Sequence, residues 1–427
     1  MLSNLMFITP ILLIASSLLM YFLEQDSNII WFFVFLCNFI YLFRFVKIVP
    51  LFIIFLFMVS YTFEPYNFFT KGLFISYWTS YQNAHDLNKA IIMNGIFLVI
   101  FGSVLFNVSE KKIIEINSFC RKNNFARNLF LVCFITFTHF SLSGDTILVS
   151  GYGNNDVVKS PIFEYSLVFL VLSLSYSEIN KKTTMLFGVA ITFFCLKSLL
   201  YGGRIEVLQC LFIYTYFVTN FFRKWSLKKL YVCISIGFIF MTIIGSLRSD
   251  PEKIKNLIYS PISVFEPNEI RHGDTISSNY GDILQASSRM IGLKDDEVWD
   301  FQFRTVSFLS YMFNIFLYGT EYKDYSNLAL KSQSEFGTGG GGYISAYFYV
   351  WLGWLGVVLS SFIISVILKD SITKSSNSEF MKMYGFMILV TFPRWFGYSP
   401  ISLVKFCLIA ALLYKLSRVF FRIFKRN

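Results

Sequence analysis

An all-α polytopic membrane protein is the fold class the sequence predicts, and three observations carry that expectation. Of the 427 residues, 55% are hydrophobic and only 15% charged, whereas a soluble chain averages about 25% charged. The apolar residues are gathered into long runs, and about 20 helical residues suffice to cross about 30 Å of hydrocarbon. Basic residues collect in the connections between alternate runs, as they do on the cytoplasmic side of a membrane.

Twelve apolar segments can be marked along the chain, at 5–23, 29–43, 48–63, 90–107, 129–142, 161–178, 185–201, 205–221, 230–246, 342–368, 383–397 and 401–417. The first lacks a preceding basic stretch, so it reads as a span rather than a cleaved signal. An even number of spans puts both termini on one side, and Arg422, Lys425 and Arg426 favour the cytoplasm. The connections that then lie inside hold 21 basic and five acidic residues, while the outer ones are acidic on balance. This distribution accounts for the formal charge of +11 without nucleic acid as a partner.

Three regions follow: a bundle of about nine spans over 1–246, a large outer loop over 247–341, and about three spans with a basic tail over 342–427. A connection of that length is either functional or a small domain. Inside it, 301–318 is apolar but interrupted by Arg304, Ser307, Ser310 and Asn314. A helix lying on the membrane or packed on the bundle fits this pattern; a thirteenth span would put the basic tail outside. The seven cysteines avoid the outer loop and include no Cys-x-x-Cys pair, so neither structural zinc nor a disulfide framework is expected.

The candidate chemistry sits at the outer ends of the spans. In Tyr201-Gly202-Gly203-Arg204-Ile205-Glu206, a tight turn places Arg204 and Glu206 at the lip of the bundle, where ionisable groups are costly and usually functional. The alternative is a plain hairpin with a snorkelling arginine. Arg248 directly follows another span, and Arg271, His272, Asp274, Arg289 and Arg304 lie further along the loop. Guanidinium groups grip phosphate oxygens through two parallel donors, or these arginines pair with neighbouring carboxylates. His272 is a candidate general base, as are Glu206, Asp274 and Asp282. The glycine run through Gly339 and Gly340 to Tyr343 lacks the Gly-Lys-Ser/Thr ending of a nucleotide loop. It offers either backbone amides for an anion or a hinge. Arg394 stands at the outer end of the eleventh segment and joins the substrate-binding candidates.

Taken together, the layout, the Gly202-Gly203-Arg204 turn, the loop arginines and the run into Tyr343, Tyr347 and Gly353-Trp354-Leu355-Gly356 resemble the O-antigen polymerase family. Ser345 and Ala346 stand where members often carry an acidic residue. The resemblance implies a fold similar to the C-type membrane glycosyltransferases and a metal-independent, cofactor-free transfer. The site would face the periplasm from the bacterial inner membrane. Donor and acceptor would be glycans on undecaprenyl diphosphate, and a separate chain-length regulator would be a partner. Arg204 and Arg248 are then the leading phosphate-binding candidates, with Arg271, Arg289, Arg394, Gly339, Gly340 and Tyr343 in support. Two other expectations compete: an O-antigen ligase, and a flippase or secondary transporter, although no internal symmetry of the transporter kind is visible.

Overall fold

In a computed structural model of the chain, the described residues are 2–23, 27–70, 83–108, 122–144, 157–159, 162–178, 180–200, 204–214, 232, 279–317, 320–337, 341–373 and 378–423. They are almost entirely helical. The first four helices are α1 (Leu2–Phe22), α2 (Ser27–Arg44), α3 (Val49–Thr70) and α4 (Ala84–Leu105). After α5 (Asn124–Phe140), the short antiparallel strands β1 (Leu142–Gly144) and β2 (Val157–Lys159) pair. Next come α6 (Ile162–Ser175), α7 (Lys181–Leu200) and α8 (Arg204–Ile213). The long segment 247–341 supplies α9 (Asn279–Asp295), α10 (Phe301–Met312) and α11 (Leu328–Phe336). The chain closes with α12 (Ile344–Ile372), α13 (Glu379–Val390), α14 (Phe392–Gly397) and α15 (Leu408–Ile423).

Eleven of the twelve apolar segments fall on these helices wholly or in part; 230–246 lies outside the described residues, apart from Val232. Four helices, Leu5–Phe22, Ala84–Leu105, Lys181–Leu199 and Ile344–Ile372, are long and apolar enough to cross a membrane. Shorter apolar helices include Ile29–Arg44, Pro50–Thr62 and Ile162–Ser175. This is a membrane protein.

Compact units do not follow chain order. One unit comprises Met1–Ile113 and Ile270–Ala411, the other Ile114–Glu269 and Leu412–Asn427. The described part of 247–341 is therefore built into the first unit together with α1 to α4 and α12. Within that unit, α4 packs on α12, α2, α9 and α1. Its core is aromatic: Phe55 meets Phe101, Phe101 stacks on Phe97, and both reach Trp395. In the second unit, α5 packs on α6, and α7 on α8.

One expectation changes in detail, and another is met. The segment 383–397 is not one helix: α13 ends at Val390, a turn follows at Thr391, and α14 begins with Pro393 in its first turn. Proline supplies no N–H and its ring obstructs the preceding turn. The apolar stretch 301–318 yields a helix of 12 residues, well short of the about 20 needed to span. It packs on α12 instead, where the Trp351 indole N–H donates to the Ser307 hydroxyl at 2.8 Å. Trp351 also stacks on Tyr311 at 4.6 Å between centroids. Inside α12, Gly353 departs from helical geometry at φ 67° and ψ −156°, which breaks the helix in two.

Candidate functional site

The first unit brings the glycine run, α9 and α14 together. Gly342 donates its N–H to the Tyr398 carbonyl at 3.2 Å. A Cβ on Gly342 would lie 2.5 Å from the Met290 methyl, and one on Gly341 would lie 2.9 Å from the Gly397 carbonyl. Close approach thus explains these two glycines. The next N–H, of Tyr343, donates to the Ser287 hydroxyl at 2.8 Å, which itself donates to the Ile283 carbonyl at 2.7 Å. Tyr343 is fully buried, and its phenol donates to the Tyr61 carbonyl at 3.0 Å. All its polar groups on this side are committed, so it holds helices together in this arrangement.

Tyr347, one turn on, is equally engaged. Its hydroxyl lies 2.6 Å from the Asn327 side-chain oxygen and 3.2 Å from the Tyr398 carbonyl, and it accepts the Ala329 N–H at 3.2 Å. Arg289 is half-buried with its guanidinium 4.7 Å from the Phe336 ring centre. Arg394, also half-buried, lies in α14, and its carbonyl accepts the N–H groups of Tyr398 and Ser399 at 3.0 Å each. Of the sequence candidates, Arg289, Tyr343 and Arg394 therefore belong to elements that meet around Gly341 and Gly342.

A second constellation in the same unit escaped the sequence reading. At the start of α4, the Lys89 ammonium is paired with the Asp295 carboxylate at the end of α9, with its side chain only 12% exposed. Lys294 reaches the same carboxylate at 3.0 Å, and the Tyr349 phenol donates to it at 2.7 Å. Both ammonium groups also lie over the Tyr349 ring, at 4.9 Å for Lys89 and 4.0 Å for Lys294. Burial alone would raise the Asp295 carboxyl, but donation from Lys89, Tyr349 and Lys294 outweighs it and holds the group below its ordinary value.

Next to this cluster stands a histidine. Asn83 caps α4 by accepting the His85 N–H at 3.0 Å, a standard device that fixes the first turn. The His85 ring has Nε2 2.7 Å from the Tyr21 hydroxyl and Nδ1 3.5 Å from an Asp86 carboxylate oxygen. The Asp86 side chain is 5% exposed and that of His85 59%. A largely exposed imidazole thus sits beside a buried carboxylate, one helical turn from Lys89. Asp86 and Lys89 are visible in the sequence as charges three apart at a span end; what the sequence hides is Asp295, which is 206 residues away.

In the second unit, Arg204 and Glu206 open α8. The Glu206 carboxyl is buried, and Gln209, one turn later, buries both amide atoms without a hydrogen-bond partner. The buried Glu206 and Gln209 lie about one turn apart on α8. On α7, the Lys197 ammonium is bonded to the His139 carbonyl. Arg248, Arg271, His272, Asp274, Gly339 and Gly340 lie outside the described residues, as do Gly202 and Gly203.

The first unit thus gathers two ammonium groups, a carboxylate held below its ordinary value and an exposed imidazole near helix ends. No family model, no curated protein and no solved structure matches this chain.

Proposed function

We propose that this protein polymerises oligosaccharide repeat units carried on undecaprenyl diphosphate, as an O-antigen polymerase at the periplasmic face of a bacterial inner membrane. One observation carries the reading. The long outer segment folds back so that α9 sets Lys294 and Asp295 against Lys89 of α4 and Tyr349 of α12. Mostly buried charges at the end of apolar helices are expensive, and such groups generally mark a substrate path. A lipid-borne diphosphate, with its tail in the bilayer and its sugars in water, is a substrate that needs cations at this depth.

In this reaction the acceptor sugar's hydroxyl oxygen bonds to the anomeric carbon of the growing chain. The bond from that carbon to the phosphate oxygen breaks, and its electron pair leaves with undecaprenyl diphosphate. A base takes the hydroxyl proton. Fixed cations lower the barrier by stabilising charge that develops on the departing diphosphate. Arg204 and Arg248 are the leading guanidiniums for that role on the sequence, and Arg289 and Arg394 are the candidates within the first unit. Both termini would lie in the cytoplasm, and a chain-length regulator would act from outside the chain.

The test is elongation by the purified protein in lipid nanodiscs supplied with an undecaprenyl-diphosphate-linked repeat unit. A ladder of products is expected. Transfer of polymer onto lipid A-core instead would indicate a ligase, and no transfer at all would leave transport. Arg204→Ala should reduce the ladder by about 10²–10³-fold. Arg204→Lys should recover only part of it, because an ammonium lacks the two-pronged donor geometry. An unchanged ladder in Arg204→Ala would remove that arginine from the site.

A further inference from the structure

We infer that His85 is the general base that takes the proton of the acceptor hydroxyl, with Asp86 and Tyr21 as the groups that position it. The inference rests on the polymerase reading above. It concerns a residue outside the long loop, joined to that loop only through the fold.

The geometry selects His85. Its backbone is pinned by the Asn83 cap, so the imidazole projects from a fixed first turn of α4. The Tyr21 hydroxyl lies 2.7 Å from Nε2, and its ring rests against the imidazole at a tilt, with centroids 5.0 Å apart. That ring contact positions the imidazole even when a substrate hydroxyl replaces the phenol at Nε2. Asp86 lies 3.5 Å from the other nitrogen, an ion-pair separation rather than a hydrogen bond. A neutral imidazole gains little from that neighbour, but an imidazolium formed by proton transfer gains a buried counter-charge. That is stabilisation of the product of proton transfer, which a base requires. Meanwhile 59% of the His85 side chain remains exposed, so a sugar hydroxyl can reach it.

Its surroundings complete the chemistry. The charged and titratable groups around it are Tyr21 from α1, Asp86 and Lys89 from α4, Lys294 and Asp295 from α9, and Tyr349 from α12. Asp295 is bonded to Lys89, Lys294 and Tyr349, which ties α4, α9 and α12 together near the imidazole. In the reaction the acceptor hydroxyl takes over the place at Nε2 that the Tyr21 hydroxyl holds. Its proton passes to Nε2 as its oxygen closes on the anomeric carbon, and the pair of the broken carbon–oxygen bond leaves with the diphosphate. The Lys89 and Lys294 ammoniums stand beside that step.

The experiment is the pH–rate profile of the full chain in nanodiscs with the same lipid-linked unit, for the wild type, His85→Gln, Asp86→Asn and a His139→Gln control. The wild type should lose rate towards acid, as any reaction that needs an unprotonated base does. His85→Gln should be slower by about 10²-fold or more at neutral pH and lose that acidic limb. Asp86→Asn should lower kcat with KM little changed, because the imidazolium formed on proton transfer loses its neighbouring carboxylate. The control should match the wild type. His85→Gln with the wild-type rate and limb would overturn the assignment alone. A wild-type chain that builds no ladder would overturn the polymerase reading, and the base with it. Monodisperse elution of each variant at the wild-type position separates chemistry from misfolding.

Discussion

Helices α9 and α10 come from the same outer segment, yet they treat their side chains in opposite ways. In α9 the small and polar residues Gly281, Ala286, Ser287 and Ser288 are buried along with Ile283, Met290 and Ile291. In α10 the buried residues are Ser307, Ser310 and Tyr311, while Phe301 is 77% exposed and Leu309 and Met312 about half exposed. Apolarity therefore does not decide which helix is inside. Small residues let backbones approach where lipid offers no hydrophobic drive between helices. An apolar face turned outward costs nothing when its solvent is hydrocarbon.

That contrast makes predictions of graded size. Ser287→Leu should be the most damaging, because it overfills the α9–α12 contact and leaves the Tyr343 N–H without an acceptor. About 4 kcal/mol is expected from overpacking and a lost buried bond together, read as a large drop in thermal midpoint in detergent. A midpoint near the wild type would mean that α9 is not packed as described.

Asp295→Asn should cost about 2 kcal/mol at neutral pH by weakening charge-assisted bonds to Lys89 and Lys294. Because the folded carboxyl titrates below its ordinary value, its contribution is present above that value and fades as pH falls through the folded one. The gap between wild type and variant should therefore close below about pH 4. A gap that persists into acid would assign the effect to shape rather than charge.

Ser307→Ala is expected to cost about 1–2 kcal/mol, since the Trp351 indole N–H loses its acceptor and the Tyr325 carbonyl its donor. Leu309→Gln, on the exposed face of α10, should shift detergent stability by no more than about 0.5 kcal/mol. A large effect there would show that this face is covered by protein.

Sequence periodicity and run length located the helices well, because membrane spans are written locally in consecutive residues. They failed where pairing is remote. Lys294-Asp295-Asp296-Glu297 reads as a solvated charge run, yet Asp295 turns inward to meet Lys89. Likewise, α9 is too polar to be marked as a segment, and only its fit against α4 and α12 reveals it as core. The break at Thr391 was legible in Pro393 but was smoothed over by the apolar residues around it. Among histidines, position in the long loop favours His272 in the sequence; the partners of His85 come from a helix 64 residues earlier and from its own neighbour.

The break at Gly353 has a consequence of its own. A Cβ added there would meet no atom within 4 Å, so bulk is not what keeps larger residues out. The backbone angles lie in a region open almost solely to glycine among ribosomal amino acids, and they mirror those of an ordinary extended residue. Handedness is thus the selecting property. L-alanine at 353 would strain the chain, whereas its D-enantiomer would settle there with room to spare.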